Sequence, residues 1–317
     1  MDYLFKTTHE LTQEERDGII KLFEEAFDRR IDYEFLFEHY YFLTPLGYSY
    51  HALLKDNNRI MGHNAYVPLS FYYQGRKMLF VDTVSSMMSP ECRDFMLYYK
   101  LLTNSYKKLK EVGIPFVYGH PNDNAYPVVS KSKLLEDIGR MDLYFLPVRI
   151  GCIKKSLRLL NPCSRLFCYL WVKSSELLAS KRIYHFGIEQ DKESFKETRY
   201  KRDEYERFIS NDCEAIYKFK EYNGIRTAFL MEVYPKSPSN FVQAVNHILR
   251  QHKADLDLIM YPGTLPFATT GMIKLPLKYH PKQFHFSGHV INPEAVEKDY
   301  IMNIENWDEN LSIYDLV

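Results

Sequence analysis

The chain has 317 residues, 46% hydrophobic and 15% aromatic, with 41 basic side chains against 41 acidic ones. Such balance excludes a general cationic coat, so no nucleic-acid partner is expected, and the length fits one large domain or two of about 150 residues. Five cysteines form no CxxC pair and leave an odd count, which argues against a disulfide framework or structural zinc and for a reducing compartment.

The N-terminal "MDYLFKTTHELTQEER" lacks the basic start and apolar core of a signal peptide. No uninterrupted apolar run reaches the roughly 18 residues of a membrane span; "LRLLNPCSRLFCYLWV" is broken by Asn161, Pro162 and Arg165. A soluble cytoplasmic protein is expected.

In chain order, residues 2–7 read as a strand. "LTQEERDGIIKLFEEAF" follows as a helix with Thr12 as N-cap and Glu15 completing a capping box. Ile19, Leu22, Phe23, Ala26 and Phe27 recur at helical spacing. A second, aromatic helix, "DYEFLFEHYYF", ends before Thr44-Pro45. Three strands joined by short turns come next, "YSYHALLK", "RIMGHNAYVPLSFYY" and "KMLFVDTVSSMM", an antiparallel meander. A helix over about 92–111, ending at Gly113, and the apolar strand "IPFVYGHP" make a crossover, which implies a parallel pair. A helix near "AYPVVSKSKLLED" and a strand near "MDLYFLPVR" complete a first unit, 1–148.

Residues 149–182 are basic and leucine-rich, with Glu176 the single acid, and read as a linker helix interrupted at Pro162. Its lysines, arginines and Trp/Phe residues could also contact an anionic membrane surface. A second unit, 183–317, has a helix at "DEYERFISN", hairpin strands "EAIYKFKEY" and "IRTAFLMEVYP", a helix at "SNFVQAVNHILRQHK" and the strand "DLDLIMYP". The order repeats that of the first unit without visible identity, a divergent structural repeat. The fold class is therefore α/β with mixed sheets in two units.

The junction "SSMMSPECRDFMLYYKLL", 85–102, passes from strand through a tight turn into a helix, a geometry that offers free N–H groups and a helix dipole to phosphate. Read plainly it is also an ordinary strand–helix connection. Arg93 would attract an anion and Asp94 repel one. His280, His285 and His289 suggest a metal at first glance. On one strand face, however, the last two sit about 13 Å apart, so no metal site is expected.

Residues 2–148 resemble the GNAT superfamily of acyl-CoA-dependent N-acyltransferases. Pro90, Arg93, Leu97 and Leu101 of "DTVSSMMSPECRDFMLYYKLL" fit that family's strand–turn–helix frame, with Asp94 and Met96 where glycines are usual. Gly119, Pro121, Asn122, Tyr126 and Lys133 match the next segment of GNAT-like proteins from bacterial surface-polysaccharide loci, and "RIMGHNAYVPLSF" matches the preceding hairpin strand. The resemblance implies a GNAT-like first domain, a second, divergent GNAT-like domain, and acetyl- or another acyl-CoA as co-substrate without a metal. It implies cofactor contacts from Met87, Met88, Arg93, Asp94, Phe95, Met96 and Leu97 on one side and Asn122 on the other. Tyr126 would be the general acid for the departing thiolate. Asp82, His63 and His120 are the candidate bases for an amine acceptor, with an amino sugar as the class the resemblance suggests. Histidine titrates in the useful range unaided, whereas Asp82 would need its pKa raised by burial. The alternative is a ligand-binding or interaction protein on the same scaffold, without catalysis. A third reading, an aminoacyl-tRNA donor as in peptidoglycan-bridge transferases, fits the neutral charge less well. The second unit is expected to serve packing, closure of the acceptor cleft or formation of a homodimer.

Overall fold

The computed structural model describes residues 1–202 and 204–314. β1 (Asp2–Thr7) leads into α1 (Gln13–Phe27), where Thr12 Oγ1 accepts from the Glu15 amide at 3.2 Å and Glu15 Oε2 accepts from the Thr12 amide at 3.0 Å. The capping box read from the sequence is thus formed, satisfying two of the helix's orphan donors. α2 (Tyr33–Leu36) runs on into a wider helical turn over Phe37–Tyr41. β2 (Tyr50–Asp56), β3 (Arg59–Tyr73) and β4 (Arg76–Met88) form the expected antiparallel meander. α3 (Phe95–Glu111) then crosses to β5 (Phe116–Gly119), which lies parallel to β4.

Beyond β5 the chain departs from expectation. α4 (Tyr126–Lys131) is short, ending before Lys133, whose φ of 58° is left-handed, and the residues expected to prolong it form β6 (Glu136–Arg140). β7 (Asp142–Pro147), α5 (Ile150–Ile153) and α6 (Asn161–Leu178) follow. Pro162 lies in the first turn of α6, where its missing N–H costs nothing, so it starts the helix instead of breaking one. β8 (Ile188–Gln190) and α7 (Lys192–Glu197) come next. The helix expected over 203–211 is instead the strand β9 (Tyr205–Ile209), and its first residue, Asp203, lies outside the described residues. So short a polar segment does not hold a helix alone, and it pairs with the edge of β10 (Glu214–Tyr222) instead. β11 (Ile225–Tyr234), α8 (Pro238–Gln251), β12 (Leu258–Gly263), β13 (Ile273–Leu275) and β14 (His285–Val290) complete the path.

Two mixed sheets result. The first has eight strands in the order β1-β2-β3-β4-β5-β14-β6, with β8 on β3; the second has six, β13-β7-β12-β11-β10-β9. The compact units interleave in sequence: 1–139 with 188–202 and 285–306, and 140–187 with 203–284 and 307–317. This differs from the expected division into 1–148, a linker and 183–317. The reason is strand exchange: β7 hydrogen-bonds to β12 and β13, while β14 returns to pair with β5.

In the first unit α3 lays Leu101, Leu102, Tyr106 and Leu109 on Tyr50, Ala52, Tyr66, Val81 and Val117. On the opposite face Ile19, Leu22 and Phe23 of α1 cover Leu53, Ala65, Val67 and Val84. In the second unit Phe241, Val242, Val245 and Ile248 of α8, with Cys168 and Val172 of α6, cover Ala228, Leu230 and Ile259. Each such large side chain contributes about 1.5–3 kcal/mol on burial.

Candidate functional site

β4 and β5 pair over only two positions, Val81 with Val117 and Asp82 with Tyr118. β4 then runs on to Met88, whereas β5 ends at Gly119 and takes β14 on its other edge. Among the described residues no strand pairs with β4 beyond Asp82 on that side, so the two parallel strands part at their C-terminal ends. At the mouth a Cβ on Gly119 would stand 2.6 Å from Thr83 Cγ2, so glycine permits the last close approach.

A bulge turns β4 away. Between the pairs His63–Met87 and Ala65–Val84, two residues of β4, Ser85 and Ser86, oppose Asn64 alone, and Ser85 has a left-handed φ of 51°. Such a conformation persists only where neighbours fix it. Here the Ser85 carbonyl accepts from His63 Nδ1 at 3.2 Å, and Ser85 Oγ accepts from the Tyr41 hydroxyl at 2.9 Å. The carbonyl sets the tautomer. With the proton on Nδ1, His63 Nε2 accepts from His51 Nδ1 at 3.1 Å, and His51 Nε2 faces the Thr8 hydroxyl at 3.0 Å. Both rings are fully buried. Burial brings His63 down to about 3 and, with the charges of His63 and Arg16, holds His51 well below the usual histidine range. Both are neutral at pH 7, and the ring nitrogens of His63 are engaged in holding the bulge.

Polar groups gather where the strands part. Asn64 Nδ2 donates to Thr83 Oγ1 at 3.0 Å, Ser86 Oγ donates to Asn64 Oδ1, and Ser86 Oγ lies 3.2 Å from the Tyr98 hydroxyl of α3. None of these four side chains was singled out by sequence; a bulge that brings residues three apart on one strand to one neighbour has no signature in spacing. Asp82 is buried on β4 beside Val67 and Tyr118.

Below the opening lies the turn into α3. Asp94 is its N-cap, and Oδ1 accepts from the amides of Met96 at 2.6 Å and Leu97 at 3.2 Å. The amides a phosphate would use are covered by the helix's own carboxylate, so the fit to a pyrophosphate is partial. Arg93 is exposed beside it, as are Phe95 and Met96, while Leu97 is half-buried. Met87 is buried toward α1, and half-buried Met88 packs on the α3 side. Cys92 is buried, which with the Asp94 charge pushes its thiol pKa up, away from reactivity.

On the far side, Asn122 Oδ1 accepts from the amides of Asn124 at 3.1 Å and Ala125 at 2.9 Å, starting α4. Tyr126, the first residue of α4, stacks on His285 of β14 with ring centroids 3.7 Å apart and planes at 11°. His285 Nε2 in turn lies 3.5 Å from Asp123 Oδ1. His120, half-buried after the end of β5, stacks on Phe286 at 5.2 Å. The structure thus brings Tyr126, His285 and Asp123 together. His285 is distant in sequence, so only the return of β14 makes it a neighbour. Among the described residues no group of His, Cys, Asp and Glu could hold a metal. A cavity of about 410 Å³, lined by Tyr48, Lys77, Val112 and Ala295 among others, lies at the opposite, N-terminal ends of β4 and β5.

Residues 7–131 match a family described as the Acetyltransferase (GNAT) domain. Among solved structures the chain is similar to a GCN5-related N-acetyltransferase from Anabaena variabilis ATCC 29413, at 14% identity and a TM-score of 0.60, over 91% of this chain and 73% of that one. It is similar to a GCN5-related N-acetyltransferase from Kribbella flavida at 11% identity and 0.56, over 91% and 71%. Eis1 from Mycobacterium abscessus matches at 10% and 0.54, over 93% and 75%. No curated protein matches the chain in sequence. At these identities the likeness is one of fold, and it runs along most of the chain. The resemblance read over residues 2–148 is borne out where residues 7–131 match the GNAT domain.

Proposed function

Starting from a GNAT acetyltransferase domain in the first unit, we propose that this chain transfers an acyl group from acyl-CoA to an amine. The observation that carries the reading is the parting of β4 from β5 at a pinned bulge, directly above the N-terminus of α3. A slender thioester arm can enter such an opening, with its phosphates toward Arg93 and the turn. The amine nitrogen attacks the thioester carbonyl, the C–N bond forms and the C–S bond breaks. Positioning of the two reactants supplies much of the acceleration. Tyr126 gives its proton to the departing sulfur, and His120 takes the ammonium proton, directly or through water. Of the three candidate bases His120 alone has solvent access, since Asp82 and His63 are buried. The acceptor class to screen first is an amino sugar, after the resemblance of the 116–139 segment.

The capping of α3 by Asp94 favours a second reading, a ligand-binding or interaction protein without catalysis. Calorimetric titration of acetyl-CoA and CoA into the whole protein separates the two. Micromolar binding that weakens about tenfold in Arg93→Ala supports the transferase. A well-folded protein that binds neither nucleotide leaves the second reading standing. Given turnover, Tyr126→Phe is expected to lower kcat about 100-fold with KM for the thioester unchanged.

A further inference from the structure

α6 has two apolar sides. Cys168, Val172 and Ser175 recur at helical spacing and are buried against the second unit's core. Leu166, Leu170 and Leu177 occupy the opposite side, flanked by Phe167, Trp171 and Leu178, and all six are exposed, Leu177 to 88%. A surface helix of a globular protein is polar there. Just before α6, Leu159 is 92% exposed beside Leu160. A contiguous apolar stripe of this kind marks an interaction surface.

Its surroundings define the partner. Residues 149–182 carry eight lysines and arginines against the single Glu176, in a chain of zero net charge. Glu176 is itself tied to Lys173 and Asn246. Lys154, Lys155, Arg158 and Arg165 are exposed, and no carboxylate pairs with them among the described residues. A two-fold dimer through this face would set the cationic rim against itself. An anionic lipid surface instead accepts the leucines, Phe167 and Trp171 below the headgroups and the cations among the phosphates. No helix among the described residues is long and apolar enough to cross a membrane. At about 1.5 Å per residue α6 extends about 27 Å, enough to lie in the interface plane.

We propose that α6 and the turn before it, 153–178, dock the protein peripherally on an anionic membrane. The reading is independent of any transferase activity. The test is cosedimentation of the whole protein with phosphatidylcholine vesicles, with and without phosphatidylglycerol, alongside tryptophan emission. Of the two tryptophans Trp307 is fully buried, so a change reports Trp171. The expected result is binding that requires phosphatidylglycerol, weakens with salt and shifts the emission to the blue. Arg158→Gln and Arg165→Gln should each weaken it about fivefold. Leu166→Ser with Leu170→Ser should abolish it without moving the thermal midpoint, since both side chains are exposed. Absence of phosphatidylglycerol-dependent binding overturns the proposal, as does equal binding by the leucine variant. A blue shift that follows protein concentration without vesicles also overturns it, and assigns the face to a second copy.

Discussion

β4 with α3 and β11 with α8 are built on one plan: a hairpin strand, a turn, a helix, then a parallel strand. Their turns end differently. In the first unit the turn is open, with Arg93, Asp94, Phe95 and Met96 exposed. In the second, Lys236 and Ser237 are buried, and Lys236 bonds Asp308 and, at 3.2 Å, Glu232. The chain's own residues 307–311 fill the space beyond β11 and β12: Asn310 bridges to Gly263 and donates to Glu232 at 3.0 Å, and Thr264 bonds the Glu309 carbonyl at 2.8 Å. One scaffold therefore yields a cleft or a plug according to what occupies the end of the parallel pair.

Opening the plug should have the largest effect. Lys236→Met leaves two carboxylates buried without their cation and is expected to cost about 3–5 kcal/mol at pH 7, read as a lowered urea midpoint. An unchanged midpoint would show that the ion triad does not hold the second turn.

Acid sharpens the contrast further. Burial brings His63 down to about 3, so its contribution is complete above the usual histidine pKa and is lost as pH falls toward 3. At pH 5 that loss is about 2 kcal/mol for His63 alone. Glu232 runs the other way: burial pushes it up to about 7 despite Lys236. Its contribution is complete below the usual glutamate pKa and is lost as pH rises through about 7. Peptide-resolved hydrogen exchange at pH 5 and pH 7 should show β3 and β4 less protected in acid, relative to intrinsic rates, and β11 more protected. A common slope in both units would sink the assignment of these buried groups.

Removing the helix caps is the gentlest intervention. Asp94→Ala and Ser237→Ala each lose one N-cap, costing about 1 kcal/mol of stability. Only the first also frees the amides of Met96 and Leu97, so CoA affinity should rise about threefold to tenfold in Asp94→Ala and stay unchanged in Ser237→Ala. If calorimetry finds weaker CoA binding in Asp94→Ala, Asp94 is itself part of the binding turn.

Local chemistry made much of the fold legible. The capping box at Thr12 and Glu15, the hairpin turns at Asn57 and Gly75, and the helical stop at Gly113 are contained in a few neighbouring residues. Their geometry follows from propensity and hydrogen bonding alone. The strand–turn–helix order around Pro90 and Arg93 was legible for the same reason. Asp94 could be placed in the turn, but not its side chain over the amides.

What escaped the sequence depends on long-range pairing. β9 became a strand because β10 offered an unpaired edge, and the units interleave because β7 and β14 exchange sheets. Tyr126 meets His285 only after β14 has returned to β5 from far along the chain, and Asn64 meets Ser86 only through the bulge between neighbouring strands. The sequence by itself determined the order of elements from β1 to β5, the open polar turn and the cationic apolar stretch at 149–182, each written in contiguous residues. Only the tertiary structure decided that β4 bends away at Ser85 and that the second cleft is plugged by residues 307–311. Those outcomes rest on hydrogen bonds and buried contacts between distant segments, whose free energy exists only once the chain has closed the loops between them.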